Sequence, residues 1–408
     1  MDKKASRRWF CRSAAAVAGG ALLAEHASGA AHDDPYPSWI AADTVAQPAY
    51  FAYVGSRTTK DRNARGEGIN VYRVDAESGR WAHVQLVTGL PNPSYLALDR
   101  TRQFLYAVHG DLSDISAYAI EGRSGRLTLL NRASTAGRNP VHLTLDPTNH
   151  FVIVANHLSS TLVVLSRYAD GRLGNVVDTV TLTGKIGPHR VEQPFPKPHQ
   201  VEFDRAGRFL VVADKGLDRV FTFRLDPDSG KLAHAGGDAP YTREGAGPRH
   251  VAFHPSEVYA YGVNELDSTV TAYRYAPSTG NLAPFQVLST LPDTFVTNSR
   301  AAEIAVSPNG RFVYVSNRGA DNIGIYAVDP SNGRLSPQGW ADALGRTPRF
   351  FALDPSGRLM FVANEDSDAI VTFRADGETG SLTPTGAMVK TGSPVCIVFR
   401  PATQSVAS

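Results

Sequence analysis

A short turn phrase built on a glycine returns seven times along this chain: Ser78-Gly79-Arg80-Trp81, Ser124-Gly125-Arg126-Leu127, Asp170-Gly171-Arg172-Leu173, Ser229-Gly230-Lys231-Leu232, Thr279-Gly280-Asn281-Leu282, Asn332-Gly333-Arg334-Leu335 and Thr379-Gly380-Ser381-Leu382. The glycines stand 46, 46, 59, 50, 53 and 47 residues apart. That period suits a four-stranded propeller blade and is too long for ankyrin or leucine-rich units. Ahead of six of the phrases lies a hairpin pattern, at 96–110, 143–157, 201–215, 251–265, 304–318 and 351–365. In each, alternating β-branched and aromatic residues flank a turn such as Asp354-Pro355-Ser356-Gly357, which predicts strand, turn, strand. A third strand follows, for example Asn322 to Val328, then the glycine phrase as a turn, then a fourth strand. The pattern predicts an all-β, seven-bladed β-propeller with four-stranded antiparallel blades, strands A to D running from the axis outward.

The seventh hairpin is divided between the ends of the chain. Its A strand reads Cys396-Ile397-Val398-Phe399-Arg400, and a matching B strand, Tyr50-Phe51-Ala52-Tyr53-Val54-Gly55-Ser56, stands near the start. Pairing these N- and C-terminal strands closes the ring and removes an open sheet edge. The propeller is therefore expected over 48–402.

The residues before it differ in kind. Ser6-Arg7-Arg8-Trp9-Phe10-Cys11-Arg12 is followed by an Ala/Gly-rich stretch to Leu23 and by small residues suited to cleavage. This reads as a twin-arginine export signal over 1–31, too short and too weakly apolar to span a membrane, with a linker or surface arm over 32–47. The expected location is periplasmic or secreted, with the twin-arginine export machinery as a partner and no stable membrane insertion. Five basic and two acidic residues leave with 1–31, turning a formal charge of +2 into −1. A near-neutral protein is not built for nucleic acid. Of two cysteines, Cys11 leaves with the signal and Cys396 has no partner, so no disulfide is expected.

Because strand A runs from one face to the other and B runs back, the start of A and the end of B emerge together. The first set includes His142, His199, Arg249, His250, Glu303 and Arg349; the second includes His109, His157, Lys215, Glu265, Arg318 and Glu365. Ordinary hairpin loops need no such gathering of ionisable groups, so this rim is the expected site. Two excursions from the repeat, 184–199 and 291–300, fall on the same face as binding loops or lids.

Across Gly245-Ala246-Gly247-Pro248-Arg249-His250-Val251-Ala252-Phe253-His254-Pro255 and Tyr261-Gly262-Val263-Asn264-Glu265-Leu266, the chain resembles the propeller lactonases. That family joins 6-phosphogluconolactonases with carboxymuconate-lactonising enzymes. Arg190, Gln193, Pro198-His199, Ala301-Ala302-Glu303-Ile304, Asn317-Arg318-Gly319 and Asp321-Asn322-Ile323 extend the likeness over about residues 48 to 400. The resemblance implies hydrolysis of a small sugar-acid lactone, with His199, Arg249 and Glu265 as the catalytic group and Arg300 as a fourth.

Opening a lactone requires a base for the attacking water and positive charge where the carbonyl oxygen becomes anionic. Glu265 or His199 is the candidate base, and Arg249 the oxyanion stabiliser or the clamp on a substrate carboxylate or phosphate. His250, Glu303 and Arg318 are candidates for holding hydroxyl groups or orienting their neighbours; Lys215, Arg349 and Arg190 complete the substrate-binding set. Run in reverse, the same groups would close a lactone, so a carboxymuconate-type cyclase is the alternative enzyme. A non-catalytic exported propeller that binds a ligand or protein is the alternative outside enzymes. Structural roles compete as well: His142 and His250 as packed histidines, Arg249 with Glu265 as an ion pair, and the repeated Asn156, Asn264, Asn317 and Asn364 as bonds within the scaffold. No cofactor is expected. The carboxylates of Glu265, Glu303 and Glu365, with Asn264, would suit a divalent metal, but the arginines among them oppose a cation.

Overall fold

Each repeated glycine is held by the blade before it. Gly125 has φ +71°, and a Cβ there would lie 2.4 Å from the Phe51 ring of the preceding blade. Two residues further along that strand, the Tyr53 hydroxyl donates to the Gly125 carbonyl at 3.0 Å. The same aromatic-x-tyrosine arrangement meets Gly171 (Phe104, Tyr106), Gly333 (Tyr259, Tyr261) and Gly380 (Phe312, Tyr314). At Gly280 and Gly79 a threonine, Thr222 or Thr372, replaces the tyrosine as donor. The phrase that marks the repeat in sequence is thus the contact that joins one blade to the next, and only glycine satisfies both its backbone and its packing.

A computed structural model describes residues 49–402; the expected export signal and the arm over 32–47 lie outside them. Every sheet in the described residues is a four-stranded antiparallel blade, and there are seven. Blade 2 shows the pattern: A Pro93–Leu98, B Phe104–His109, C Asp114–Ile120 and D Leu127–Ser134. Blades 3 to 7 follow in chain order. Blade 1 takes B, C and D from Ala49–Ser56, Gly68–Asp75 and Trp81–Thr88, and its A strand from Pro394–Pro401. The closure expected from the sequence is present, in register from Tyr50↔Pro401 to Gly55↔Cys396. Each A strand contacts the A strands of both neighbouring blades.

Inner strands pack on both faces, so they read as unbroken apolar runs. All six residues of strand B in blade 3, Phe151–Asn156, are buried, whereas outer strands such as Leu127–Ser134 are largely exposed. The A–B turns are fixed on the face away from the rim: Asp204 Oδ1 accepts the amides of Arg208 and Phe209, and Asp354 Oδ1 that of Leu359.

One irregularity decides where the site lies. Every A strand carries a β-bulge at its head. In blade 4, Pro198 pairs with Asp214 and Gln200 with Ala213, which leaves His199 between them without a partner in the ladder. In blade 5, Pro248 pairs with Asn264 and His250 with Val263, which leaves Arg249; in blade 7, Pro348 and Phe350 flank Arg349. Blade 6 is shifted by one more residue, with Ala302 and Glu303 both between paired positions. Regular strands send successive side chains to opposite faces, and a bulge breaks that rule and re-aims the extra residue.

Candidate active site

The bulges and the ends of the B strands bring charged side chains from blades 4 to 7 to one mouth of the central channel. Lys215 follows strand B of blade 4 (Leu210–Asp214) and Glu265 that of blade 5 (Tyr259–Asn264). Arg300 opens, and Arg318 closes, the A–B hairpin of blade 6.

Glu265 is the hub. Its Oε1 lies 3.2 Å from Lys215 Nζ and 3.5 Å from Arg300 Nη1, and its Oε2 lies 3.3 Å from Arg318 Nη2 and 3.5 Å from Arg249 Nε. Burial alone would raise the pKa of this carboxyl, but Lys215, Arg318, Arg249 and Arg349 hold it well below the usual carboxylate range. The ion pair between Arg249 and Glu265, one of the structural alternatives, therefore exists as part of a larger cluster. Burial, with Arg349 and Arg318 close by, lowers the Arg249 guanidinium to about 9. Arg249 also donates to the Ala302 carbonyl, while Arg318 Nε is buried with no hydrogen-bond partner.

Beside this cluster runs a line of rings. His157 and His199 have centroids 5.5 Å apart, His199 and His250 5.1 Å, His250 and His142 5.4 Å, and His142 lies 3.8 Å from Tyr95. Burial first, then Arg249 and His250, lower His199 well below the ordinary imidazole value, so it is neutral. His250 is lowered likewise by burial and by Arg249 and Arg349. Its Nδ1 lies 2.8 Å from Glu303 Oε1, and burial pushes that carboxyl up to about 7. His199 Nδ1 and His250 Nε2 are buried without partners.

The two long loops meet over the mouth. In the first, buried Gln193 donates to the Lys215 carbonyl at 2.8 Å and to Asp218 Oδ1 at 2.7 Å, which pins the loop to blade 4. Its neighbour Glu192 bridges Lys215 Nζ at 3.1 Å and Arg300 Nη2 at 2.8 Å. Of the sequence-predicted residues, His199, Lys215, Arg249, His250, Glu265, Arg300, Glu303 and Arg318 are brought together. Arg190 is not: it is exposed on the loop, and no ion pair joins it to the cluster among the described residues.

Glu192 was not among the expected site residues, and neither was Arg57, which lies 3.8 Å from Asp111 and 4.0 Å from Glu365 at the blade 1 side of the mouth. Arg57 directly follows strand B of blade 1, so the repeat did point to it. Glu192 lies in an insertion, where no periodicity helps. The repeated asparagines bond the scaffold: Asn156 and Asn364 donate to the Thr135 and Ala343 carbonyls, both at 2.9 Å. Among the described residues no three His, Cys, Asp or Glu side chains are grouped to hold a metal ion.

A seven-bladed propeller with a buried, arginine-rich ionic site at one mouth defines the class, and comparison with known proteins gives the family. The chain belongs to the family described as lactonase, 7-bladed beta-propeller, whose profile matches residues 51–399. It is 36% identical to a 6-phosphogluconolactonase of Bacillus subtilis over 304 residues, covering 74% of this chain and 84% of that protein. It is 35% identical to a 6-phosphogluconolactonase of Formosa agariphila, covering 74% and 85%. Among solved structures, a periplasmic gluconolactonase of Pseudomonas aeruginosa superimposes with a TM-score of 0.79 at 30% identity, covering 86% of this chain and 99% of that one.

Proposed function

We propose that this chain hydrolyses a small sugar-acid lactone at the mouth formed by blades 4 to 7. The observation that carries the reading is that buried Arg249 and Arg318 share one carboxylate, Glu265, while Arg249 Nη1 lies 3.4 Å from Nδ1 of His250, which neighbours His199 in a neutral pair of imidazoles. Relatives named for 6-phosphogluconolactone and gluconolactone support the substrate class.

In this reading a water oxygen adds to the acyl carbon while His199, uncharged and with a lone pair available, takes the water proton. The carbonyl oxygen becomes anionic facing Arg249 and Arg318, whose charge in a buried site stabilises it. Breaking the ring C–O bond then returns the proton to the departing oxygen and yields the open hydroxy acid. Glu265 is too strongly held by cations to serve as base; it fixes the four positive groups in place. No cofactor enters this scheme. Kinetics in a pH-stat against gluconolactone, its 6-phosphate and carboxymuconolactone test it. Hydrolysis by wild type with at least a hundredfold loss in His199→Asn supports the reading, and no rate above buffer on any of the three refutes it.

The twin-arginine pattern at Arg7-Arg8 and the periplasmic relative support export of the folded protein. A reporter fused to residues 1–35 and followed by cell fractionation tests that; a reporter kept in the cytoplasm would refute it. Among the described residues no helix is long and apolar enough to cross a membrane.

A further inference from the structure

We propose that Glu192 is a built-in counter-anion. It fills a cationic subsite made by Lys215 and Arg300, and so determines how readily the site accepts a lactone that carries a phosphate or carboxylate arm. This rests on the lactonase reading above.

Lys215 and Arg300 come from different blades, and each is shared by the same two carboxylates. One is Glu265, whose second oxygen is held by Arg249 and Arg318 at the end of a buried strand. The other is Glu192, which offers one oxygen to each cation, Oε2 to Lys215 and Oε1 to Arg300. A phosphate bridging two cations uses its oxygens the same way. The two carboxylates differ in their freedom to leave. Glu265 has a side chain 6% exposed, against 19% for Glu192, and the residue beside Glu192, Val191, is 76% exposed. Gln193 is fully buried and its Oε1 accepts the His189 amide at 3.1 Å, while the Glu192 amide donates to His189 Nδ1 at 3.1 Å, so the backbone stays seated and only the Glu192 side chain has to swing away.

Charge then decides the selection. Lys215, Arg300, Arg249 and Arg318 are balanced by two carboxylates, Glu265 and Glu192, a formal charge of +2 that rises to +3 when Glu192 is lost. An uncharged sugar lactone leaves that balance intact. An arriving anion must first displace Glu192 and break both of its charge-assisted bonds, so removal of Glu192 exposes two cations that a phosphate can take directly.

The test is calorimetric titration of the full chain with inorganic phosphate and with 6-phosphogluconate, for wild type, Glu192→Gln and Glu192→Ala, with Arg190→Gln as a control from the same loop outside the cluster. Melting by circular dichroism establishes that each variant is folded. The expected result is at least a tenfold lower Kd for both anions in either Glu192 variant. The gain should be abolished when Lys215→Met is added and should be absent in Arg190→Gln. The ratio of kcat/KM for the phosphorylated over the plain lactone should rise by a similar factor. A Kd within threefold of wild type in both Glu192 variants would overturn the proposal and leave Glu192 a structural latch. Because phosphate affinity is read without turnover, the two readings separate. Tighter phosphate binding in a protein that hydrolyses no lactone would keep the subsite and refute the hydrolase.

Discussion

Glu303 Oε1 lies 2.8 Å from His250 Nδ1, across the seam between blades 5 and 6. The two side chains are buried together, the imidazole held neutral and the carboxyl pushed up to about 7 by burial. Such a pair takes up one proton as a unit near neutrality. When Glu303 is ionised it accepts the Nδ1 proton of His250; when Glu303 is protonated it donates to Nδ1, and the ring's own proton moves to Nε2.

That exchange predicts a pH limb. The kcat/KM for lactone hydrolysis should fall as pH drops below about 7, and Glu303→Gln should flatten this limb while lowering the plateau about tenfold or more. The stability effect has a defined sign. The Glu303 pKa is raised by folding, so its stabilising contribution is present below the ordinary glutamate value and is lost as pH rises through about 7. Denaturant titrations of both proteins at pH 4 and pH 8 measure it.

Glu265 should behave in the opposite sense. Its pKa is held well below the glutamate range, so its contribution is present above that range and is lost as pH falls toward the folded value. Glu265→Gln leaves four cations without their shared anion, which should cost about 3–5 kcal/mol at pH 7 and at least a hundredfold in kcat. The difference in unfolding free energy between wild type and variant should shrink in acid.

The blade contacts make a prediction remote from the site. Gly125→Ala combines a left-handed φ of +71° with a Cβ 2.4 Å from the Phe51 ring, whereas Gly237 has φ +72° and nothing within 4 Å. Gly237→Ala should therefore cost only backbone strain, about 1 kcal/mol, and Gly125→Ala about 1–3 kcal/mol more from overpacking. Urea midpoints report the difference, and KM should be unchanged in both.

Ring closure can be tested by deletion. A chain ending at Ser393 lacks the A strand of blade 1 and leaves Ala49–Ser56 with one bare edge. It should elute as aggregate in size-exclusion chromatography, because an unpaired inner strand is a template for association.

The sequence carried the architecture because a glycine every fifty residues or so has one physical cause here, close approach by a side chain of the preceding blade, an aromatic ring at every copy but Gly79, where Thr372 and Leu359 take its place. Closure by Tyr50–Ser56 and Cys396–Arg400 was legible for the same reason: each half of the split hairpin matches six intact copies. Site residues on the repeat, such as His199, Arg249 and Glu265, followed from topology. What stayed hidden was why adjacent residues such as Arg249 and His250 both serve the site. Strand periodicity would send one of them away, and only the bulge after Pro248 reconciles them. Glu192 was hidden because its loop has no repeat to be read against. Arg190, two residues earlier on the same loop, matches the family pattern yet stands exposed and apart from the cluster.

The bulge at the head of every A strand has a consequence for how this scaffold diversifies. The residue it releases has no pairing duty, so its identity is free of the demands that fix the ladder around it. In six blades the position holds serine, valine, histidine or arginine, at Ser94, Val141, His199, Arg249, Arg349 and Val395, and in blade 6 the bulge holds Ala302 and Glu303. Each blade thus presents a socket whose occupant can be exchanged while the ring keeps its shape, and new specificities can arise one sector at a time.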